Sequence, residues 1–559
     1  MVVQIKLSPT DGSSVGPSFD IAANNGASIS PSSATLSELI AGKNFTVSDA
    51  ATEVTVISTG SCLNSVVFPI QLIPPPVANK IVVSLTGGAD LFGSDSLDDV
   101  IAFLTAHVFT APVTVKFYTS DTFIVNNWNI NYNNGNHALE FVNTPGVTPV
   151  IDGNFQNKTV VVMGVSNMVW DGINVINGIT QDEEDGGTIV RLAGNQSNVT
   201  IKNCTIAMGY VGIRGTTNLT DILIDNVRIE SVNAGSIRLG TGSFSNPDMY
   251  EDFDLRTSAD YDMHNIIIRN SFFLDTLNGG NVPGTTGKFS PLVLLKMCEG
   301  VTVDNTFHSG NGACIIVETS VNIVINACEA VNLNSYGVSV TQSDVLRVSN
   351  CGLKEALGTG YTIIYIDTVR NFEFLNNSIL MQSQFGAMNI RLMRRVLKFV
   401  GNAIKTDYET PLTWSITQFV NSTPYVGTVA EDFQEEHDNL LANNNEYVDI
   451  INIAKILPEG QDLRVRPTGG SGSLTWAEYQ TAYPGYGVND FIVRDNSTVF
   501  TSRTNPGGGQ SKAVYIPLGD PGSQAIASQL VPSMVKDCDG YTRVYPTDIG
   551  AFDRGAYIL

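Results

Sequence analysis

The 559-residue chain is short of charge, of basic side chains and of long apolar runs, and each shortage closes off a class of function. Only 15% of residues are charged, and 31 Lys and Arg face 54 Asp and Glu, a formal net charge of −23 at pH 7. A surface of that sign repels phosphate backbones, so nucleic acid is not an expected partner. No stretch of about 18 apolar residues occurs, and no membrane insertion is expected. The opening Met-Val-Val-Gln-Ile-Lys-Leu lacks a basic segment leading into an apolar core, so no secretory leader is expected and assembly is placed in a cytoplasm. Seven cysteines, an odd number scattered along the chain, do not make a disulfide framework. The histidines His107, His137, His264, His308 and His437 share no metal-ligand spacing. With no phosphate loop, dinucleotide fingerprint or nucleophile elbow, neither a cofactor nor a metal is expected.

What the chain does have is one short phrase, repeated. A branched-apolar/polar alternation runs into Asn or a small residue at Asn203, Asn226, Asn270, Asn305, Ala327, Asn350, Asn376 and Gly401. Successive differences of 23, 44, 35, 22, 23, 26 and 25 residues set a period of one solenoid coil, with one double step and one insertion. Period-2 alternation of Val, Ile and Phe suits a short strand with one face buried. Such a coil buries that face only by stacking on its neighbours, which also pairs every backbone N–H and C=O. Asn at the strand end tolerates the left-handed turn and offers an amide to the next coil, so the repeated Asn is a structural ladder. The following residues, Cys204, Val227, Ser271, Thr306, Cys328, Cys351 and Asn377, are nearly all small, as the inside of a tight corner requires. Cys328 and Cys351 should lie one coil apart, pointing inward as free thiols.

Around the stack, residues 1–75 read as a separate small β-sandwich, with strand-like runs at Val2–Leu7, Asn44–Val47, Ala51–Ser58 and Ser65–Leu72, closed by Pro74-Pro75-Pro76. Ser96, followed by Asp98, Asp99 and the apolar stripe Val100, Ile101 and Leu104, predicts one amphipathic helix that covers the open end of the solenoid. The β-helix proper is expected over 78–408 and a β-rich continuation or cap over 409–559, where the periodicity fades. Two polar insertions, Thr180–Gly187 with Asp182 to Asp185 and Thr241–Asp262 with Asp248, Glu251, Asp252 and Asp254, read as solvated loops at one edge, without calcium-loop spacing.

The Asn-turned coils, with the closing phrases Asp537-Cys-Asp-Gly-Tyr-Thr-Arg543 and Asp548-Ile-Gly-Ala-Phe552, resemble right-handed parallel β-helix proteins of the pectate-lyase-like superfamily. The resemblance implies an all-β fold and leaves activity open, since lyases, hydrolases, adhesins and phage tailspikes share it. The first domain, with Gly16-Pro-Ser-Phe-Asp20, Leu39-Ile-Ala-Gly-Lys43 and Val56 to Cys62, is similar to β modules on virion proteins of phages infecting Bacteroidetes. Together these imply a tailspike or tail-fibre protein of the virion: residues 1–75 attach to other virion proteins, the β-helix meets host-surface polysaccharide, and the subunits form a homotrimer. A polysaccharide lyase or hydrolase, and a purely structural virion part, are the alternatives.

Keeping the in/out alternation of the strands ahead of each phrase, the outward residues are Arg191, Arg214, Arg238, Lys296, Glu318, Thr341, Asp367 and Arg391, expected to form one exposed column. Glu318 and Asp367, two coils or about 9–10 Å apart along the backbone, approach the separation of the two carboxylates of inverting glycosidases. Elimination from a uronic-acid polymer needs a cation to neutralise the carboxylate and a Lys or Arg as base, which Lys296, Arg238 and Arg214 could supply. Arg191, Arg214, Thr341 and Arg391 would bind substrate. The competing reading is a column of intercoil ion pairs, such as Lys296 with Glu318. Trp128, Tyr132, Trp170 and Tyr210 are either sugar platforms or core filler, the latter being the commoner use.

Overall fold

A computed structural model describes residues 2–6, 16–59, 65–69, 79–85, 90–179, 187–274, 292–309, 313–333, 336–355 and 363–381, apart from 49, 157, 158, 241, 251 and 376, together with short segments between 388 and 515. The chain divides into two compact units, Met1–Ala78 and Asn79–Leu559.

The first unit is two small antiparallel sheets. One joins Val2–Ile5, Lys43–Val47 and Ile29–Ser30, and the other joins Ser33–Thr35, Ser18–Ala23, Glu53–Thr59 and Ser65–Pro69. Their inward residues, including Phe19, Ile21, Phe45 and Val56, share one core. The turn at Asn25 and Gly26 has φ of 55° and 67°, as the Asn-Asn-Gly run predicts. A short helix, α1 (Leu36–Ala41), was not expected. Its signal is a capping box, with Thr35 accepting from the Glu38 amide while Glu38 reaches back to the Thr35 N–H at 2.8 Å.

The second unit is a parallel β-helix. Each coil contributes a leading, a middle and a trailing strand, as in Thr188–Leu192, Gln196–Lys202 and Thr205–Gly209. The next coil lies in register on it, with Val190 opposite Ile213, Ile201 opposite Ile224 and Ile206 opposite Ile229. Parallel crossovers of this kind wind right-handed. Side chains of one parity from all three faces fill a single continuous core, from Val113 to Ile379. In the first coils it is aromatic: Trp128, Phe141 and Trp170 meet with ring centroids 5.3–5.8 Å apart. Trp128 donates to the Tyr132 hydroxyl and Trp170 to the Ile173 carbonyl, each at 2.8 Å, so these buried rings are core and not sugar platforms.

Helix α2 (Leu97–Ala106) forms where the capping pattern places it. Ser96 accepts from the Asp99 amide, and Leu97, Val100 and Leu104 are buried in the core of the first coils. The exposed edge there is finished by an antiparallel hairpin, Ile81–Leu85 with Asp90–Ser94, laid along Val113–Phe117. At the far end the parallel pairing continues past residue 409, through Ser415–Phe419, Val448–Ile451 and Ala454–Ile456 to Phe491–Val493. Cys538 and the closing phrases lie outside the described residues.

The Asn ladder forms as expected. Asn203, Asn226, Asn270, Asn305, Ala327 and Asn350 all have φ between 48° and 55°. Asn226 donates to Asn203 and Asn305 to Asn270, each at 2.8 Å. A second left-handed column, at Asn198, Asp221, Asn265, Gly300, Asn322, Val345 and Asn371, bends each of these middle strands near its start. Asn198 donates to Asn167 there, and Asn265 to Asp221, each at 3.0 Å.

The 241–262 insertion is no freely solvated loop. Within its described residues, Arg256 lies over the Phe253 and Phe244 rings and donates to the Met249 and Gln342 carbonyls at 2.6 and 2.9 Å. Arg370 pairs with Asp254 and with Asp344, each at 2.6 Å. An acidic loop thus becomes a strap, fastened by arginines to coils well beyond its root. The acidic run Asp182 to Asp185 lies outside the described residues.

Candidate functional site

The outer face of the leading strands carries most of the anticipated site, though not as one column. Arg191 is opposite Arg214 and Arg214 opposite Arg238, but Arg238 is opposite Leu294. Lys296 falls two residues along, and from it a second column runs through Glu318, Thr341 and Asp367 to Arg391. Leu294 and Lys296 both face outward from Val293–Lys296, so in/out alternation does not choose between them. Arg191 and Arg214 stand twelve residues ahead of Asn203 and Asn226, whereas their register equivalent Leu294 stands eleven ahead of Asn305. Counting back from the turns therefore does not carry register across the interval between Leu239 and Val293. The structure brings together Lys296, Glu318, Thr341 and Asp367, and separately Arg191, Arg214 and Arg238.

Within the second column Lys296 Nζ stands 3.8 Å from Glu318 Oε2, both side chains part exposed, an ion pair that contributes little to stability. Asp367 accepts from the Tyr365 hydroxyl at 3.1 Å and from Thr368 Oγ1 at 3.2 Å. With Thr341 between them, Glu318 and Asp367 are held two strand spacings apart, about 9–10 Å. That is the upper edge of the separation that leaves room for a water between two carboxylates in inverting hydrolysis. Arg391 continues the column as backbone in Met388–Met393; its side chain lies outside the described residues.

Arg238 has a different environment. Its guanidinium donates to the Ala234 carbonyl, burial pushes its pKa down, and its Nε is buried without a partner. This part-exposed guanidinium is tied to the local backbone.

Two features escaped the sequence. Tyr365 sits outward two residues before Asp367, and its ring meets Tyr336 at 5.2 Å, giving an aromatic surface beside the carboxylate. The signal was the shared parity of Tyr365 and Asp367. The second is a groove of 410 Å³ on the outer face of the middle strands, lined by Asn322, Val324, Val345, Arg347, Asn371 and Glu373. Arg347 and Glu373, opposite each other in register, pair at 2.7 Å across it. At its rim Val345 holds φ of 51°, a strained setting for a β-branched residue. Among the described residues no group of three His, Cys, Asp or Glu side chains is arranged to hold a metal ion.

No protein-family model and no curated protein matches the chain. Solved structures similar to it include PfbA, a surface adhesin of Streptococcus pneumoniae, at 14% identity and a TM-score of 0.34, covering 55% of this chain and 82% of that one. The enzymatically active domain of bacteriophage CBA120 tailspike protein 2 matches at 12% identity and a TM-score of 0.23, covering 48% and 43% respectively. Pectin methylesterase from Aspergillus niger matches at 12% identity and a TM-score of 0.21, covering 72% and 95%. The parallel β-helix itself stands on the strand registers given above.

Proposed function

We propose that the chain is a virion tailspike-like or tail-fibre-like protein whose β-helix binds a host-surface polysaccharide along the outer face of its leading strands. The observation that carries this is the in-register column Lys296, Glu318, Thr341 and Asp367 on consecutive coils, with Tyr365 and Tyr336 alongside. Polar groups repeat at one strand spacing along this face, which suits an extended chain of sugars. An aromatic ring offers each sugar an apolar surface. Glu318 and Asp367 would flank a glycosidic bond at the separation suited to inverting hydrolysis, so the bound glycan is also the candidate substrate. In this reading the N-terminal unit attaches the protein to other virion proteins and the particle carries it as a homotrimer.

Elimination is the second reading, favoured by Lys296 beside Glu318 as a candidate base. Incubating the purified protein with host capsular polysaccharide separates the readings. New reducing ends without ultraviolet absorbance from an unsaturated product mark hydrolysis, the two together mark elimination, and retention of intact glycan marks an adhesin. Absence of both binding and cleavage contradicts the proposal. Deleting the N-terminal unit is expected to abolish incorporation into particles, and normal incorporation would refute the attachment role.

A further inference from the structure

Inside the solenoid, away from the glycan face, four buried groups are arranged as chemistry and not as filler. Cys328 and Cys351 occupy the same corner of successive coils, since Glu329 and Gly352 just after them are directly opposite. Strand spacing of about 4.8 Å puts their Cα atoms within the range a disulfide spans. Cys328 Sγ lies 3.3 Å from the Asn326 carbonyl and Cys351 Sγ 3.2 Å from the Ser349 carbonyl, and neither cysteine is in a disulfide. Thr306 Oγ1 donates to Cys328 Sγ at 3.1 Å, and the same oxygen meets His308 Nε2 at 2.7 Å. His308 is fully buried against the Phe273 ring, and its Nδ1 has no partner. A buried imidazole nitrogen without a partner costs free energy that simple packing does not return.

We propose that Cys328 and Cys351 form a peroxide-reactive dithiol that closes into an intercoil disulfide, with Thr306 and His308 positioning the thiol proton. Burial by itself would raise the Cys328 thiol, but its polar neighbours Cys351, His308 and Thr306 hold it below the ordinary thiol range. The oxidant is hydrogen peroxide, small enough to enter through local opening of a coil. The Cys328 thiolate attacks one peroxide oxygen: an S–O bond forms, the O–O bond breaks, and the departing hydroxide takes the proton relayed through Thr306 and His308 to leave as water. Cys351 sulfur then attacks the sulfenic sulfur. The S–S bond forms, the S–O bond breaks, and a second water leaves with the Cys351 proton. The two thiols lose two electrons and the peroxide gains two. The product links adjacent coils and restricts the unfolded chain, so the oxidised protein should melt higher.

The equally buried Cys204 and Cys298 are internal controls, because burial raises each of their thiols to about 12. Full-length protein is treated with hydrogen peroxide, denatured, alkylated and mapped by mass spectrometry. The expected result is a linked peptide pair containing Cys328 and Cys351, formed at least about tenfold faster than Cys204 or Cys298 is lost. His308→Gln should slow linkage about tenfold without lowering the melting temperature, and Cys351→Ser should stop oxidation at a sulfenic acid on Cys328 that a dimedone probe captures. Cys328 and Cys351 remaining as alkylatable as Cys204 in the unaltered protein would overturn the proposal. So would a different cysteine pairing, or linkage at an unchanged rate in His308→Gln.

Discussion

Asn226 donates its side-chain amide to Asn203 Oδ1 at 2.8 Å, one coil away, while both backbones are left-handed, with φ of 52° and 55°. A single residue type meets two demands there, the turn and the stitch between coils. Asn226→Ala removes the stitch and the short polar side chain that lets Asn tolerate left-handed backbone, so the loss is expected to be about 1–2 kcal/mol. Asn226→Gly should cost less, because glycine keeps the turn at ease. Denaturant unfolding of the two variants checks the order.

Trp170 and Tyr365 make opposite predictions from the same chemical class. Trp170 is fully buried in the aromatic core, so Trp170→Ala should cost about 3–5 kcal/mol. Tyr365 lies on the outer face, so Tyr365→Ala should leave stability within about 1 kcal/mol while weakening glycan retention. Thermal melting alongside a polysaccharide pull-down distinguishes them.

Asp225 predicts the acid limb of stability. The hydrogen bond from Arg269, at 2.7 Å, is the largest cause holding its carboxyl below the ordinary value of 3.8, with Asn270 adding to it against a smaller opposing effect of burial. A depressed folded-state pKa means the stabilisation is fully present above 3.8 and is lost as pH falls below it towards the folded-state value. Asp225→Asn should therefore lower stability at pH 7 and shrink the difference between pH 7 and pH 3. An unchanged acid limb in that variant would contradict the assignment.

If the glycan is cleaved, Asp367→Asn and Glu318→Gln should each lower the rate by about 100-fold or more, since each removes a proton-transfer group, while the melting temperature stays put. Steady-state release of reducing ends measures this. Full activity in both variants would remove the pair from the mechanism.

How much of this was open to sequence depended on how narrowly geometry restricts residue type. The left-handed turn at 203, 226, 270, 305 and 350 accepts few residues besides Asn, so it announced the coils, and the small column after it placed Cys328 and Cys351 inward. Ser96 and the acidic first turn marked α2 for the same reason. The second left-handed column was hidden because Asn198, Asp221, Gly300 and Val345 fill equivalent positions with unlike side chains. Alternation fixes which face a residue takes but not which of two same-face residues is in register, so Lys296 is not distinguished from Leu294, the residue opposite Arg238. The relay from His308 to Cys328 was invisible because residues 306 and 328 meet only after the coils stack.

The most direct test of the glycan-face account is equilibrium binding of host capsular oligosaccharide to the full-length protein and to the Tyr365→Ala/Asp367→Asn double variant, by calorimetry. The account predicts affinity weaker by about tenfold or more in the variant, with an unchanged far-ultraviolet dichroism spectrum. Equal affinity in the two proteins would contradict it and move the binding surface off the leading strands.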